Sequence, residues 1–435
     1  MRAHALKGLR LPAPVCWMLC LLAGAALLLA SPSPASAVGR ATFNDMLVQK
    51  CPQKGSCPWK LSCGVEGKPE AEMFAGSKAK TKYSVNINKG LDIQTFPADI
   101  RCTAWLDTGW IGTSWEKLNT TTINVPAGGE YTLDINSRAQ GSVTVRMSVD
   151  SLEISTPPPP PAAPARPAKP AKGKKGAVAP AAPAASQAPQ VLAVFSPEPD
   201  GRAVVVGLDW TAFKKRVDDL GTRGLQLAEV STFEQGGKVY WNGIFHSSQQ
   251  PILMLANQDG DTFLKNWKTG TGNRKRLFNL TIYPSGGKIL FTGLFRDLGE
   301  KHSLWVGQNR KEFDAKVKEL KNTQGLQLID VTTYKPSSTV LYAGAFRYEE
   351  TQNEYWQALD RAAFEKRWQA ARGKQMQLID VETYKDGNQR LFDAIVHGGT
   401  PGDVVMGLDL NAFVTRWRDM ISKGLRPTDL KVYQE

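Results

Sequence analysis

A chain of 435 residues, 42% hydrophobic and 22% charged, is long enough for two or three domains, each with its own core. Its formal charge of +13 is held unevenly: Arg2, Lys7 and Arg10 lie near the start, and Arg166, Lys169, Lys172, Lys174 and Lys175 in one short segment. The remainder carries only about +5, which is no nucleic-acid footprint, so no nucleic-acid partner is expected.

In chain order, residues 1–37 read as a secretory signal. A basic start precedes an apolar run from Val15 to Ala30, and the small-x-small pattern Ala35-Ser36-Ala37 predicts cleavage before Val38. A membrane anchor is the competing reading, but the apolar run is short for a span. No later stretch approaches one, so the mature chain is expected to be secreted or periplasmic, by a bacterial Sec-type signal, and not membrane-spanning. Cys16 and Cys20 leave with the signal. Cys51, Cys57, Cys63 and Cys102 remain, an even number that predicts two disulfides of open connectivity. A metal site is the alternative, disfavoured by six-residue spacing and no nearby His.

Residues 38–155 hold short β-rich runs such as "WKLSCGV", "IRCTAWL" and "SVTVRMSV", parted by turns. Some seven strands with disulfides predict a β-sandwich. Trp59, Trp105, Trp110 and Trp115 could stack on sugar rings; filling the core is the preferred reading. Residues 156–190 are a Pro/Ala/Lys-rich linker that cannot bury a core, read as a disordered, semi-rigid spacer.

From Val191 to Glu435 the chain repeats. Phe213, Phe263, Phe313, Phe364 and Phe413 recur about every 50 residues, each followed four places on by Val or Trp on the same helical face. Four residues ahead stand Asp209, Asp259, Asn309, Asp360 and Asp409, the expected N-caps. After each helix comes a strand ending at Phe233, Tyr283, Tyr334, Tyr384 or Tyr433. A turn follows, then a second strand with a small residue at Ala193, Gly243, Gly293, Gly344 or Ala394, then a short third strand. The region opens on "VLAVFS", a second strand lacking its first, and closes on "PTDLKVYQE", a first strand lacking its second. The expected fold is therefore mostly β with repeated helices: a disulfide-bonded β-sandwich, the linker, and five helix-strand-strand-strand repeats closed into a propeller-like ring. An open right-handed half-barrel is the alternative.

The residues "GLDxxAFxxRW…GLQLIDVETY…LYAGAF" resemble the bacterial tandem-repeat domain family, whose repeats also precede the hydrolase domain of fungal polyglycine hydrolases. The resemblance covers 191–435. In those hydrolases it places the chemistry in a separate C-terminal, β-lactamase-like domain with an S-x-x-K serine. This chain stops directly after its repeats, so the resemblance implies the scaffold and not the activity.

S-x-x-K occurs at Ser114–Lys117 and at Ser285–Lys288, the latter in a predicted hairpin turn, and both are read as chance matches. After residue 37 the histidines are His246, His302 and His397; no metal motif and no cofactor are expected. One pattern stands out. Ser196, His246, Arg296, Arg347 and His397 follow the second strands at equivalent places, predicting a polar, largely cationic rim that could bind carboxylate- or phosphate-rich polymers. Solvated copies of one surface position are the simpler explanation. Glu229, Asn279, Asp330, Asp380 and Asp429 predict a second circle, of acceptors. Counting from an Asp386-Gly387 turn pairs Asp380 with Asp393, placing the circles at different depths. The expected function is an exported, non-catalytic binding or scaffolding protein for a cell-envelope or extracellular polymer or protein. A secreted peptide or glycan hydrolase is the alternative, needing Ser196 or another hydroxyl beside His246 or His397.

Overall fold

The computed structural model describes residues 36–50, 57–78, 83–107, 115–137, 141–155 and 188–435. Nearly all of the expected signal, most of the linker, Cys51, Trp110 and Ser114 lie outside the described residues, as do the side chains of Cys57 and Trp115.

The first piece contributes β1 (Ser36–Lys50), β2 (Cys57–Val65), β3 (Ala71–Lys78), β4 (Tyr83–Ile93), β5 (Ala98–Asp107), β6 (Trp115–Val125), β7 (Gly129–Ser137) and β8 (Gly141–Ile154). Strands β4, β1, β8 and β7 form one antiparallel sheet, and β3, β2, β5 and β6 the other. Alternation decides which face is buried. Val143, Val145, Met147 and Val149 of β8 are fully buried, while the intervening Arg146 pairs with Asp45 outside. They share a core with Trp59, Leu61 and Ile100 of the opposite sheet. Trp59 is thus a core residue. Cys63 and Cys102 lie directly opposite on β2 and β5 and form a disulfide.

The repeats begin with β9 (Gln190–Pro197), β10 (Arg202–Leu208), α1 (Trp210–Gly221), β11 (Leu225–Gln235) and β12 (Lys238–Ser247). Next come β13 (Leu253–Asp259), α2 (Gly260–Gly272), β14 (Lys275–Ser285), β15 (Lys288–Asp297), β16 (His302–Gln308), α3 (Arg310–Gln324), β17 (Leu326–Tyr334) and β18 (Leu341–Tyr348). The last are β19 (Asn353–Leu359), α4 (Arg361–Arg372), β20 (Met376–Asp386), β21 (Gln389–Gly398), β22 (Asp403–Asp409), α5 (Leu410–Ser422) and β23 (Leu425–Tyr433).

Each helix belongs with the strand before it and the two after it. The resulting sheets run β10-β12-β11, β13-β15-β14, β16-β18-β17, β19-β21-β20 and β22-β9-β23. The structural unit therefore starts one strand earlier than the repeat suggests. The sheets are not strands of one continuous barrel among the described residues. The two orphan strands find each other: β23 pairs with β9 from Leu425↔Pro197 to Tyr433↔Gln190. First strands also touch in sequence, β11 with β14, β14 with β17, β17 with β20, β20 with β23, and β23 with β11.

All five expected caps form. Asp209, Asp259, Asn309, Asp360 and Asp409 accept from the amides of Ala212, Thr262, Glu312, Ala363 and Ala412, satisfying first-turn donors that the helix leaves unpaired. The five repeated Phe side chains are fully buried. The small residue beneath them has a steric cause. A Cβ at Gly344 would lie 2.7 Å from both Phe313 and Leu328, and one at Gly293 would lie 2.8 Å from Phe263. Gly344→Val should therefore cost about 1–3 kcal/mol by overpacking, read as a lower urea midpoint; an unchanged midpoint would refute this packing.

Two expectations need correction. The β20–β21 turn is centred on Gly387 and Asn388, since Asp386 pairs with Gln389. Moving a two-residue turn by one place shifts every partner by two, so Asp380 faces Ile395 and not Asp393. The rim and the acceptor circle still differ in depth, because His397 faces Gln377. The sandwich and the repeats are also not two separate modules. Strand β10 lies parallel to β8, from Ala203↔Ser151 to Val206↔Ile154, so sandwich and first repeat share a sheet. Side chains lock this junction. Asp150 accepts from the Arg202 amide at 3.0 Å and Glu130 from the Gly201 amide at 2.8 Å.

Candidate binding site

The acceptor circle is the inner layer. Each first strand carries a β-bulge just before its acceptor, between Leu227/Glu229, Leu277/Asn279, Leu328/Asp330, Leu378/Asp380 and Pro427/Asp429. A bulge sets two residues against one and re-aims the side chains that follow. Asn279, Asp330, Asp380 and Asp429 thereby accept from the backbone amides of Val230, Leu280, Val331 and Val381, one unit back, at 2.6–3.1 Å. Between β11 and β23 the link differs. Lys431 Nζ donates to Glu229 at 2.9 Å and to Asp429 at 2.8 Å, and the Ser231 hydroxyl donates to the Leu430 carbonyl.

This layer is buried and crowded with like charge. Burial pushes the Asp380 carboxyl up to about 7, partly offset by Lys431, and Glu382 up to about 8 for the same reasons. Glu229 and Asp330 rise well above their ordinary range, again chiefly by burial. Lys431 rises as well: burial lowers its ammonium, but the carboxylates around it together outweigh that and hold it well above the usual value. The circle staples units together, and its five acceptors are buried.

The rim is different. The bulge residues Phe278, Ile329 and Ile379 floor a cleft of about 350 Å³ walled by Arg296, Arg347 and His397. Three of the five rim residues thus converge. Arg296 lies over the Phe278 ring at 4.1 Å, and its Nη2 is 3.2 Å from His246 Nε2. Burial first, then the Arg202 and Arg296 guanidiniums, pushes His246 down to about 4, so the neutral ring accepts from Arg296. His397 is likewise lowered by burial, partly countered by Glu349. Arg347 pairs with Glu349 through Nε at 2.8 Å and through Nη2. Ser196 does not join the cleft. It is fully buried, its hydroxyl 3.4 Å from that of Thr428, and its cross-strand neighbour Arg426 reaches Asp150 of the sandwich.

The floor was the part missed in the sequence. Its trace was present: Leu277-Phe278, Leu328-Ile329 and Leu378-Ile379 are adjacent apolar pairs that break strand alternation before a polar residue, as a bulge does. Among the described residues, the other cavities include two that touch charged pairs. One of about 440 Å³ lies between sandwich and α1, where Arg216 pairs with Glu153 at 2.6 Å. The other, about 170 Å³, opens on Ser231, Thr281, Thr332, Glu382 and Lys431. Ser285 occupies a turn completed by Gly286 and Gly287 at positive φ.

Comparison with known proteins gives one family. The model for the polyglycine hydrolase-like structural repeat matches residues 201–248, 304–348, 355–397 and 403–435. No curated protein matches the chain. Among solved structures, a single domain of plant Extended Synaptotagmin 1 is 14% identical, covering 27% of this chain and 95% of its own, at a TM-score of 0.20. Human GIVD cytosolic phospholipase A2 is 8% identical at a TM-score of 0.21, over 79% of this chain but only 37% of the phospholipase. Likenesses this low carry no argument about fold or function.

Proposed function

We propose, from the match of residues 201–248, 304–348, 355–397 and 403–435 to the polyglycine hydrolase-like structural repeat, that the chain is an exported, non-catalytic binding protein. It holds an extracellular or envelope polymer or protein at the rim of a five-unit, propeller-like ring. Ring closure is supported by the β9–β23 pairing and by the Lys431–Glu229 link between first and last units. Export is supported by the basic and apolar start of the chain. Its expected product begins at Val38 and keeps the β1 register from Val38↔Leu152 onward.

The observation that carries the binding reading is the cleft itself: cationic and imidazole side chains from consecutive units converge over an apolar floor. Repetition alone would scatter these positions as separate solvated groups. The hydrolase alternative asked for Ser196 or another hydroxyl beside His246 or His397; the Ser196 hydroxyl instead faces Thr428, and His246 is engaged by Arg296. The test is retention of the mature protein on isolated cell-envelope material. Arg296→Ala with Arg347→Ala should lower retention about tenfold or more, as expected for losing charge-assisted hydrogen bonds. Unchanged retention would overturn the assignment of the rim.

A further inference from the structure

Resting on that reading, we infer that the rim cleft takes a single carboxylate borne on an apolar group, namely the C-terminal end of a peptide chain. The charge inventory decides against a polyanion. Arg347 is neutralised by Glu349, and both flanking histidines are held toward the neutral form by burial. Among the described residues Arg296 has no carboxylate within ion-pair distance; its neighbours are an imidazole nitrogen and an aromatic face. The site therefore presents one uncompensated, half-buried guanidinium, which matches one carboxylate bidentately. A chain of closely spaced acids would find no second partner.

The floor decides against a sugar. Phe278 is the aromatic residue of the floor, and the Arg296 guanidinium already covers one face of its ring, where a sugar would otherwise stack. Ile329 and Ile379 are left to cover an aliphatic or aromatic side chain. A volume of about 350 Å³ lies at the small end of ligand sites and suits one or two residues, not the middle of a polymer. Thr351 stands at the edge of the cleft, where its hydroxyl can meet the backbone of the bound end.

The probes are N-acetylated tripeptides ending in Leu, Val, Phe, Asp or Lys, each made as free acid and as carboxamide. They are titrated against the full mature chain alongside polygalacturonate. Free acids ending in Leu, Val or Phe should bind at least about tenfold tighter than their carboxamides and than acids ending in Asp or Lys. Arg296→Met, which keeps its stem on Phe278, should abolish the preference for acid, and Arg296→Lys should keep part of it. Equal binding of acid and carboxamide would overturn the inference. So would tripeptides that fail to bind, or polygalacturonate held through Arg296 in their place. If the acid preference is missing while Arg296→Ala with Arg347→Ala still releases envelope material, this inference fails and the broader binding reading stands. If both are missing, both fail.

Discussion

Lys431→Met should destabilise the repeats by about 3–5 kcal/mol at pH 7.5, because it leaves buried carboxylates without their cation. The ammonium lies 2.8–2.9 Å from Asp429 and Glu229 and 3.8 Å from Asp380. The loss should shrink at pH 5, where Glu229 and Asp380, both raised chiefly by burial, take up protons and need less counter-charge. Thermal melts at the two pH values check this; an equal loss at both would overturn it. The parent protein should show the same linkage. Asp380 and Glu382 have folded-state values of about 7 and 8, above those of the unfolded chain. The folded state thus keeps protons the unfolded chain has released, and stability falls as pH rises toward those values. His246, pushed down to about 4, works oppositely, but only below the ordinary histidine value of about 6.5. Between pH 7.5 and 8.5 the histidines are almost wholly neutral in both states, the carboxylates dominate, and the melting temperature should drop, by roughly 2–4 °C for each kcal/mol lost. A rise across that window would refute the buried-acid account.

Asp150→Ala should uncouple the sandwich from the repeats. Asp150 is fully buried, accepts from the Arg202 amide, and lies 2.9 Å from Arg426 Nε, a contact close enough for an ion pair though out of line with the N–H. Burial holds its carboxyl up at about 6 despite the guanidinium beside it. Removing it leaves Arg426 buried without its carboxylate, a loss of about 3–5 kcal/mol. Two separate transitions in calorimetry are expected where the parent shows one. A single unshifted transition would show that β8–β10 pairing alone holds the junction.

Much of the repeat region was legible because its determinants are local. An Asx residue four places before a Phe specifies a helix start, and a glycine beneath that Phe follows from the distance between strand and ring. Strand order within each unit follows from short turns. Ser196 was misplaced on the rim because burial against Thr428, and the sandwich docked beside it through Arg426, come from segments far away in the chain. The Asp380 partner was misread because a two-residue turn centred one place later gives the same alternation.

By itself the sequence determined the roughly 50-residue period, the five caps, the buried aromatic stripe and the existence of an orphan strand at each end. These depend on neighbours within a helix or hairpin, where residue type dictates contact. Only the tertiary structure decided that the sandwich shares a sheet with the first repeat and that one bulge per unit separates a stapling circle from an apolar floor. It alone settled which rim cations are already neutralised. The shared sheet and the cleft shape arise between segments about one repeat apart or more, and a single extra residue in a strand reverses which face each side chain meets. Arg347 and Glu349 are only two residues apart, but their pairing depends on how the end of β18 and the segment after it are folded.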